Sequence, residues 1–227
     1  MRFNFNFISV NISQAYNEWS SSYDSMMNKT RDLELEVQES ILCHMRFNHI
    51  IELGCGTGKN TLRLLGLCKS LIALDFSERM IDFAKLKLPP NRVEFAVRDV
   101  TREWDLNRKA DLISCSLILE HVKNIDSIFK KANIQLNPDG HLYIGELHPF
   151  KQYKGSKARF EKGGEVLEVE SFVHHISEYL QAANNHCFEL SEMKEVMDDE
   201  TKEPRIVAFL FKKKEGIRCE YLPLKHL

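Results

Sequence analysis

The sequence lacks any long apolar run. Nothing in its 227 residues approaches the ~18 apolar positions of a membrane-spanning helix, so no membrane partner is expected. An excess of one charge is also missing, since 31 Lys and Arg stand against 33 Asp and Glu. A surface that neutralises phosphates needs a basic excess, so no nucleic-acid partner is expected. The run Lys212-Lys213-Lys214 reads as a solvated strand edge. Cys43, Cys55, Cys68, Cys115, Cys187 and Cys219 include no C-x-x-C pair. Metal sites and disulfide frameworks space their cysteines regularly. No metal is therefore expected, and free thiols suit a reducing, cytoplasmic compartment. The first residues, Met1 to Ile8, alternate Phe with Asn. Those polar positions interrupt a signal-peptide core, and their period of two suggests a short strand or an arm laid over the domain or a neighbour. Internal repeats and low-complexity tracts are absent. A chain of this length buries one large core, and residues 1 to 227 are expected to form a single domain.

What is present begins with Ile50-Ile51-Glu52-Leu53-Gly54-Cys55-Gly56-Thr57-Gly58. An apolar run ends in an acid and then in alternating glycines. Glycine permits positive φ and leaves no side chain between backbone and ligand. A strand running into such a turn brings backbone close to a small ligand at the carboxyl end of a sheet. The spacing G-x-G-x-G differs from the G-x-G-x-x-G of dinucleotide sites, which argues against a nicotinamide dehydrogenase. Gly58-Lys59 leads to Asn60 rather than Ser or Thr, so the turn is not a P-loop.

A second apolar run, Leu71 to Leu74, ends at Asp75. That lies about 20 residues past the first glycine, where an acid that holds ribose hydroxyls belongs. Ser77 offers a helix N-cap, followed by the stripe Ile81, Ala84 and Leu88. Arg92–Val97 reads as a third strand, Ala110–Ser116 as a fourth and His141–Leu147 as a fifth, the last entered through a turn at Asn137-Pro138-Asp139-Gly140. Asp126 can cap a helix carrying Ile128, Phe129, Ala132 and Leu136. Residues 13 to 47 read as an N-terminal helical cap, with Leu33, Val37 and Ile41 facing the core. Residues 149 to 172 break the α/β pattern and sit where a lid insertion belongs. A helix through Ile176, Tyr179, Leu180 and Ala183 follows, and Phe188–Met197 and Arg205–Phe211 close the chain as strands.

Five segments taken in order resemble a known family: Ile51 to Gly58, Leu74-Asp75-Phe76-Ser77, Arg98-Asp99-Val100, Leu119-Glu120-His121-Val122 and Leu136 to Gly140. They look like the motifs of class I S-adenosylmethionine-dependent methyltransferases of the small-molecule, UbiE-like group, over roughly residues 12 to 146. The resemblance implies an α/β, doubly wound, mostly parallel seven-stranded sheet with helices on both faces. It also implies S-adenosylmethionine as cofactor. Tyr16 to Asp24 resembles the leading segment of many such enzymes, in which a tyrosine at the position of Tyr23 covers the methionyl end and the acceptor pocket.

Methyl transfer from a sulfonium is an in-line displacement that needs alignment, exclusion of water and, for a protonated acceptor, a base. One carboxylate can accept from both ribose hydroxyls, which points to Asp75. Gly54, Cys55, Gly56 and Gly58 form the turn. Glu52 supports the turn or meets the methionyl amine. Asp99 and Val100 are placed for the adenine, with Phe76 and Met80 flanking it or filling core. Ser116 ends the fourth strand beside the methionyl group, and Arg31 either binds the methionyl carboxylate or lies on the surface. Histidine is the natural base near neutral pH. His121 comes first and His148 second, because both leave strands at the ligand edge, with Glu146 and Tyr153 on the same rim. Of the adjacent pair His174-His175 at most one can face the pocket, and the remaining histidines read as surface. The expected activity is methylation of a small-molecule acceptor by a monomer or homodimer, at an O, N or C atom. Two rivals keep the cofactor: a protein side chain or modified nucleoside as acceptor, or a non-catalytic regulatory subunit.

Overall fold

The computed structural model describes residues 12–20, 23–156, 159–162 and 165–214. The Phe/Asn-alternating amino terminus and Cys219 lie outside them. Two helices, α1 (Ile12–Trp19) and α2 (Lys29–Leu42), precede the sheet. Asn28 caps α2 by accepting from the Arg31 N–H at 3.1 Å, and Val37, Ile41 and Leu42 are buried. The alternation then runs β1 (Phe47–Leu53), α3 (Lys59–Leu64), β2 (Cys68–Asp75), α4 (Glu78–Lys87), β3 (Val93–Val97) and β4 (Ala110–Ser116). It continues with a 3-10 turn at Leu119–His121, α5 (Asp126–Gln135), β5 (Leu136–Leu147) and α6 (Pro149–Tyr153). The insertion adds a small antiparallel hairpin, β6 (Arg159–Lys162) and β7 (Glu165–Glu168). Helix α7 (Ile176–Asn185) leads into β8 (Phe188–Met197) and β9 (Pro204–Lys213).

The main sheet has the order β3-β2-β1-β4-β5-β9-β8. Strands β1 to β5 pair in parallel and β9 and β8 antiparallel. The expected doubly wound sheet is present. Period two sorts its side chains. Ile51, Leu53 and Ile113 enter one core layer with Phe129 and Phe209, while Ile50, Leu112 and Ala73 enter the other with Val37 and Ile81. The order reverses between β1 and β4, and that switch point is where open α/β sheets bind ligands.

Several local expectations are corrected. β5 begins at Leu136 rather than His141, and the turn at Asn137–Gly140 is an irregularity inside the strand. Its register shifts opposite Ala110 and Leu112, and Asp139 takes φ 59°. Asp126 does not cap α5. It is the first helical residue, and its carboxylate meets His186 Nε2 at 2.8 Å. His186 is thus buried rather than on the surface. Leu180 is the exposed member of its helix stripe. Cys187 is disulfide-bonded, which corrects the expectation of free thiols throughout. No helix among the described residues is long and apolar enough to cross a membrane.

Candidate active site

A cleft of about 1090 Å³ opens at the carboxyl ends of β1, β2 and β4. That is at the upper end of ligand pockets, enough for a nucleoside-sized ligand and a second small molecule. One wall is the sheet edge. Gly54 and Gly56 turn the chain with φ of 71° and 52°. The Gly54 and Cys55 N–H groups donate to the Leu74 carbonyl at 2.8 and 2.9 Å, which stitches the turn to β2. A Cβ on Gly54 would collide with Ile118, whereas one on Gly56 would meet nothing within 4 Å and would stand in the open cleft.

Asp75 ends β2 beneath this turn. Its Oδ2 accepts from the Gly56 N–H and its Oδ1 from the Ser77 N–H, both at 2.8 Å. The Phe76 N–H also bonds this carboxylate, which has about four acceptor sites in all. Burial pushes the Asp75 carboxyl up to about 6. Ser77 caps α4 as expected, accepting from the Met80 N–H at 3.1 Å. Phe76, Met80, Asp99 and Val100 continue the wall.

The opposite wall comes from the two leading helices. The Arg31 guanidinium lies 4.0 Å from the centre of the Tyr23 ring and donates to the carbonyls of Tyr23 and Met26 at 2.9 and 2.8 Å. Its Nε is buried and without a partner among the described residues. Glu52, at the end of β1, accepts from the Thr61 hydroxyl at 2.5 Å. Ser116 accepts from Gln38 of α2 at 3.1 Å. The Tyr16 ring stands edge-on to Phe76 and to His121, with centroids 5.6 Å away in each case.

His121 faces the cleft, with both ring nitrogens engaged. Nδ1 lies 3.1 Å from the Glu170 carbonyl, which only accepts, so Nδ1 carries the proton. Nε2 is left as an acceptor, and the Tyr16 hydroxyl donates to it at 2.9 Å. Glu120 Oε1 lies 3.9 Å from Nε2.

Every expected cofactor-contacting residue lines this cleft except Gly58. Gly58 instead precedes α3 at φ 86°, packed against Leu88 and Ala84. His148 is a second departure and does not face the cleft. Its Nδ1 accepts from the Phe150 N–H at 3.0 Å, capping α6, so its Nε2 donates to Glu195 at 2.8 Å. Glu146 is buried and accepts from the Ile118 and Leu119 N–H groups at 3.0 and 2.8 Å. Tyr153 is exposed and pairs with His175. Three functional candidates escaped the sequence reading: Tyr16, Glu34 and Glu170. Tyr16, Trp19 and Tyr23 recur three and four residues apart, a spacing that could have flagged the first.

The cleft fits an adenosyl amino acid ligand on two observations. The orphaned Arg31 Nε is an unfilled donor for an acidic group, and Gly56 keeps open a space that a side chain would occupy.

Comparison with known proteins agrees. Residues 51–144 match a methyltransferase-domain family. A malonyl-[acyl-carrier protein] O-methyltransferase of Priestia megaterium is 26% identical over 205 residues, covering 82% of this chain and 73% of that protein. A demethylmenaquinone methyltransferase of Leptospira interrogans is 29% identical over 147 residues, covering 62% of this chain and 57% of that one. Among solved structures, the N-methyltransferase NodS of Bradyrhizobium japonicum, in complex with S-adenosylhomocysteine, superposes with TM-score 0.69 at 16% identity. It covers 91% of this chain and all of that one. With its glycine turn, its acid at the end of β2 and its switch-point cleft, this chain carries a methyltransferase domain over residues 51–144 and has the fold of S-adenosylmethionine-dependent methyltransferases.

Proposed function

We propose that the chain methylates a small-molecule acceptor whose attacking atom arrives with a proton. The Tyr16–His121 hydrogen bond carries this reading. It spans the cleft from the N-terminal cap to the segment after β4. It therefore narrows the entrance to something small and sets a proton-accepting nitrogen beside the space left for the acceptor.

Two covers close the cleft in this reading, the cap of residues 13–47 and the insertion of residues 149–172. They meet where Ala15 and Trp19 of α1 pack on Val169 just after β7. Bound S-adenosylmethionine supplies an electrophilic methyl group on a neutral leaving group. Asp75 holds the ribose hydroxyls. Phe76, Met80, Asp99 and Val100 hold the adenine, and Arg31, Glu52 and Ser116 the methionyl arm. Gly54, Cys55 and Gly56 let the backbone approach. Tyr23 covers the methionyl end. The acceptor's proton passes to the Tyr16 oxygen as the Tyr16 proton passes to His121 Nε2, giving an imidazolium beside Glu120. The relatives' own named acceptors, a malonyl carrier-protein conjugate and a quinone precursor, differ from one another, and the acceptor here stays at the level of a phenol, enol or amine.

The test is to incubate the protein with methyl-labelled S-adenosylmethionine and a cell extract split into low-molecular-weight, protein and nucleic-acid fractions. Label in the first fraction supports the reading. Label confined to protein or nucleic acid overturns it.

A further inference from the structure

His121 meets a different element at each ring nitrogen. Tyr16 of α1 bonds Nε2 at 2.9 Å, and the carbonyl of Glu170, on the segment between β7 and α7, lies 3.1 Å from Nδ1. These neighbours have unequal influence on where the ring proton sits. The Tyr16 hydroxyl can donate or accept, so it fits either tautomer. Glu120 Oε1 lies 3.9 Å from Nε2 and draws the proton toward that nitrogen. Among the three, only the Glu170 carbonyl, an acceptor with nothing to donate, favours the proton on Nδ1.

That carbonyl is held by a clip of three bonds between residues 170–174 and residues 120–122. His121 Nδ1 donates to Glu170, the Phe172 N–H donates to the Glu120 carbonyl at 2.7 Å, and His174 Nε2 donates to the Val122 carbonyl at 2.8 Å. His174 is 6% exposed, and its Nδ1 lies 3.1 Å from Glu178 of α7. It fastens the segment from outside the cleft, which it does not line. At the other end Val169, 1% exposed, packs on Ala15 and Trp19 of α1, the helix that carries Tyr16.

We propose that this segment is the positioning element of His121. The Glu170 carbonyl keeps the ring proton on Nδ1 and leaves Nε2 bare, and His174 is the positioning residue that holds the carbonyl in place. The assignment rests on the proton-accepting role of His121, and adds that the base is complete only while the insertion is docked on residues 120–122. With the segment lifted, Nδ1 loses its acceptor. The proton then moves to Nε2, where the Tyr16 oxygen can accept from it, and no lone pair is left on that nitrogen for the acceptor's proton.

The experiment is nitrogen NMR on the full chain labelled with 15N-histidine, in which protonated and bare ring nitrogens resonate far apart. The signals of His121 are those lost in His121→Ala. Wild type should show Nδ1 protonated and Nε2 bare. His174→Ala removes the donor to Val122, so His121 should gain the Nε2-protonated form. Transfer of label from methyl-labelled S-adenosylmethionine into the low-molecular-weight fraction of a cell extract should fall by at least about tenfold, with the Kd for S-adenosylhomocysteine nearly unchanged. His174→Gln keeps an N–H donor near the place of Nε2 and should restore both readouts. A merely structural His174 would lower Tm and leave the tautomer where it was. If His174→Ala fails to fold, Val169→Ala loosens the other end of the segment and gives the same readout. A wild-type His121 protonated on Nε2 overturns the proposal, as does an unchanged tautomer in the folded variant. Undiminished label transfer by His121→Ala overturns the base role itself, whatever the tautomer shows.

Discussion

The two walls of the cleft are built by different means. The sheet-edge wall is held by backbone: Gly54 and Cys55 donate to Leu74, and Gly56 and Ser77 donate to Asp75. The cap wall is held by side chains far apart in sequence. Tyr16 bonds His121, Ser77 bonds Asn17 at 2.7 Å, and Thr57 bonds Asp24 at 2.6 Å. Backbone in a parallel sheet is fixed by the whole fold, so the first wall suits recognition of an invariant ligand. Side-chain ties exchange one residue at a time, so the second wall suits an acceptor that differs between relatives. The contrast predicts that damage to the sheet wall abolishes cofactor binding, while breaking the Tyr16–His121 tie of the cap wall spares binding and slows turnover.

The largest effect should come from Gly56→Val. Valine resists φ of 52°, and its side chain would stand in the open cleft. Loss of S-adenosylhomocysteine binding by at least about 100-fold is expected, close to 2.8 kcal/mol, with circular dichroism showing the fold retained. Normal binding would remove the turn from the cofactor cradle.

On the cap wall, His121→Ala should lower single-turnover methyl transfer by at least about tenfold, with cofactor Kd nearly unchanged. Tyr16→Phe keeps the ring and removes the donated proton, so it should show a smaller loss in the same direction. A rate that is flat from about pH 5.5 to 8 in both wild type and His121→Ala would leave His121 as packing.

These variants fall on the two sides of what the sequence makes legible. The sheet wall was readable because Gly54, Gly56, Asp75 and Asp99 each follow a strand, at spacings set by strand and turn geometry. The strands were readable from apolar runs, save where β5 extends through a turn-like Asn-Pro-Asp-Gly segment. Its distortion is absorbed by Asp139 at positive φ rather than by ending the strand. The cap wall was only half readable. Tyr16 and His121 lie 105 positions apart, and no local pattern records such a pair. Glu34 was hidden for a related reason. A glutamate in an amphipathic helix reads as solvated, and only the packing of α2 over β4 and β5 buries it. His148 misled because leaving a strand at the ligand edge does not fix where a side chain turns. Pro149 after it starts a helix, and the imidazole caps that helix instead.

That reassignment gives the smallest effect. His148→Ala should leave turnover within about twofold and cost about 0.5–2 kcal/mol of stability, the usual cost of losing an N-cap, read as a lower denaturation midpoint. A large loss of turnover with stability intact would return His148 to the chemistry.

The central claim is that Asp75, pre-set by the Gly56 and Ser77 N–H groups, grips the ligand of the sheet wall. Calorimetry of S-adenosylhomocysteine against wild type and Asp75→Ala tests it most directly. The account predicts micromolar-range binding to wild type, and a loss of about 1.5–3 kcal/mol per charge-assisted hydrogen bond removed in the variant. Unchanged affinity in Asp75→Ala would contradict the ribose assignment. Binding of NAD in place of S-adenosylhomocysteine would contradict the cofactor itself.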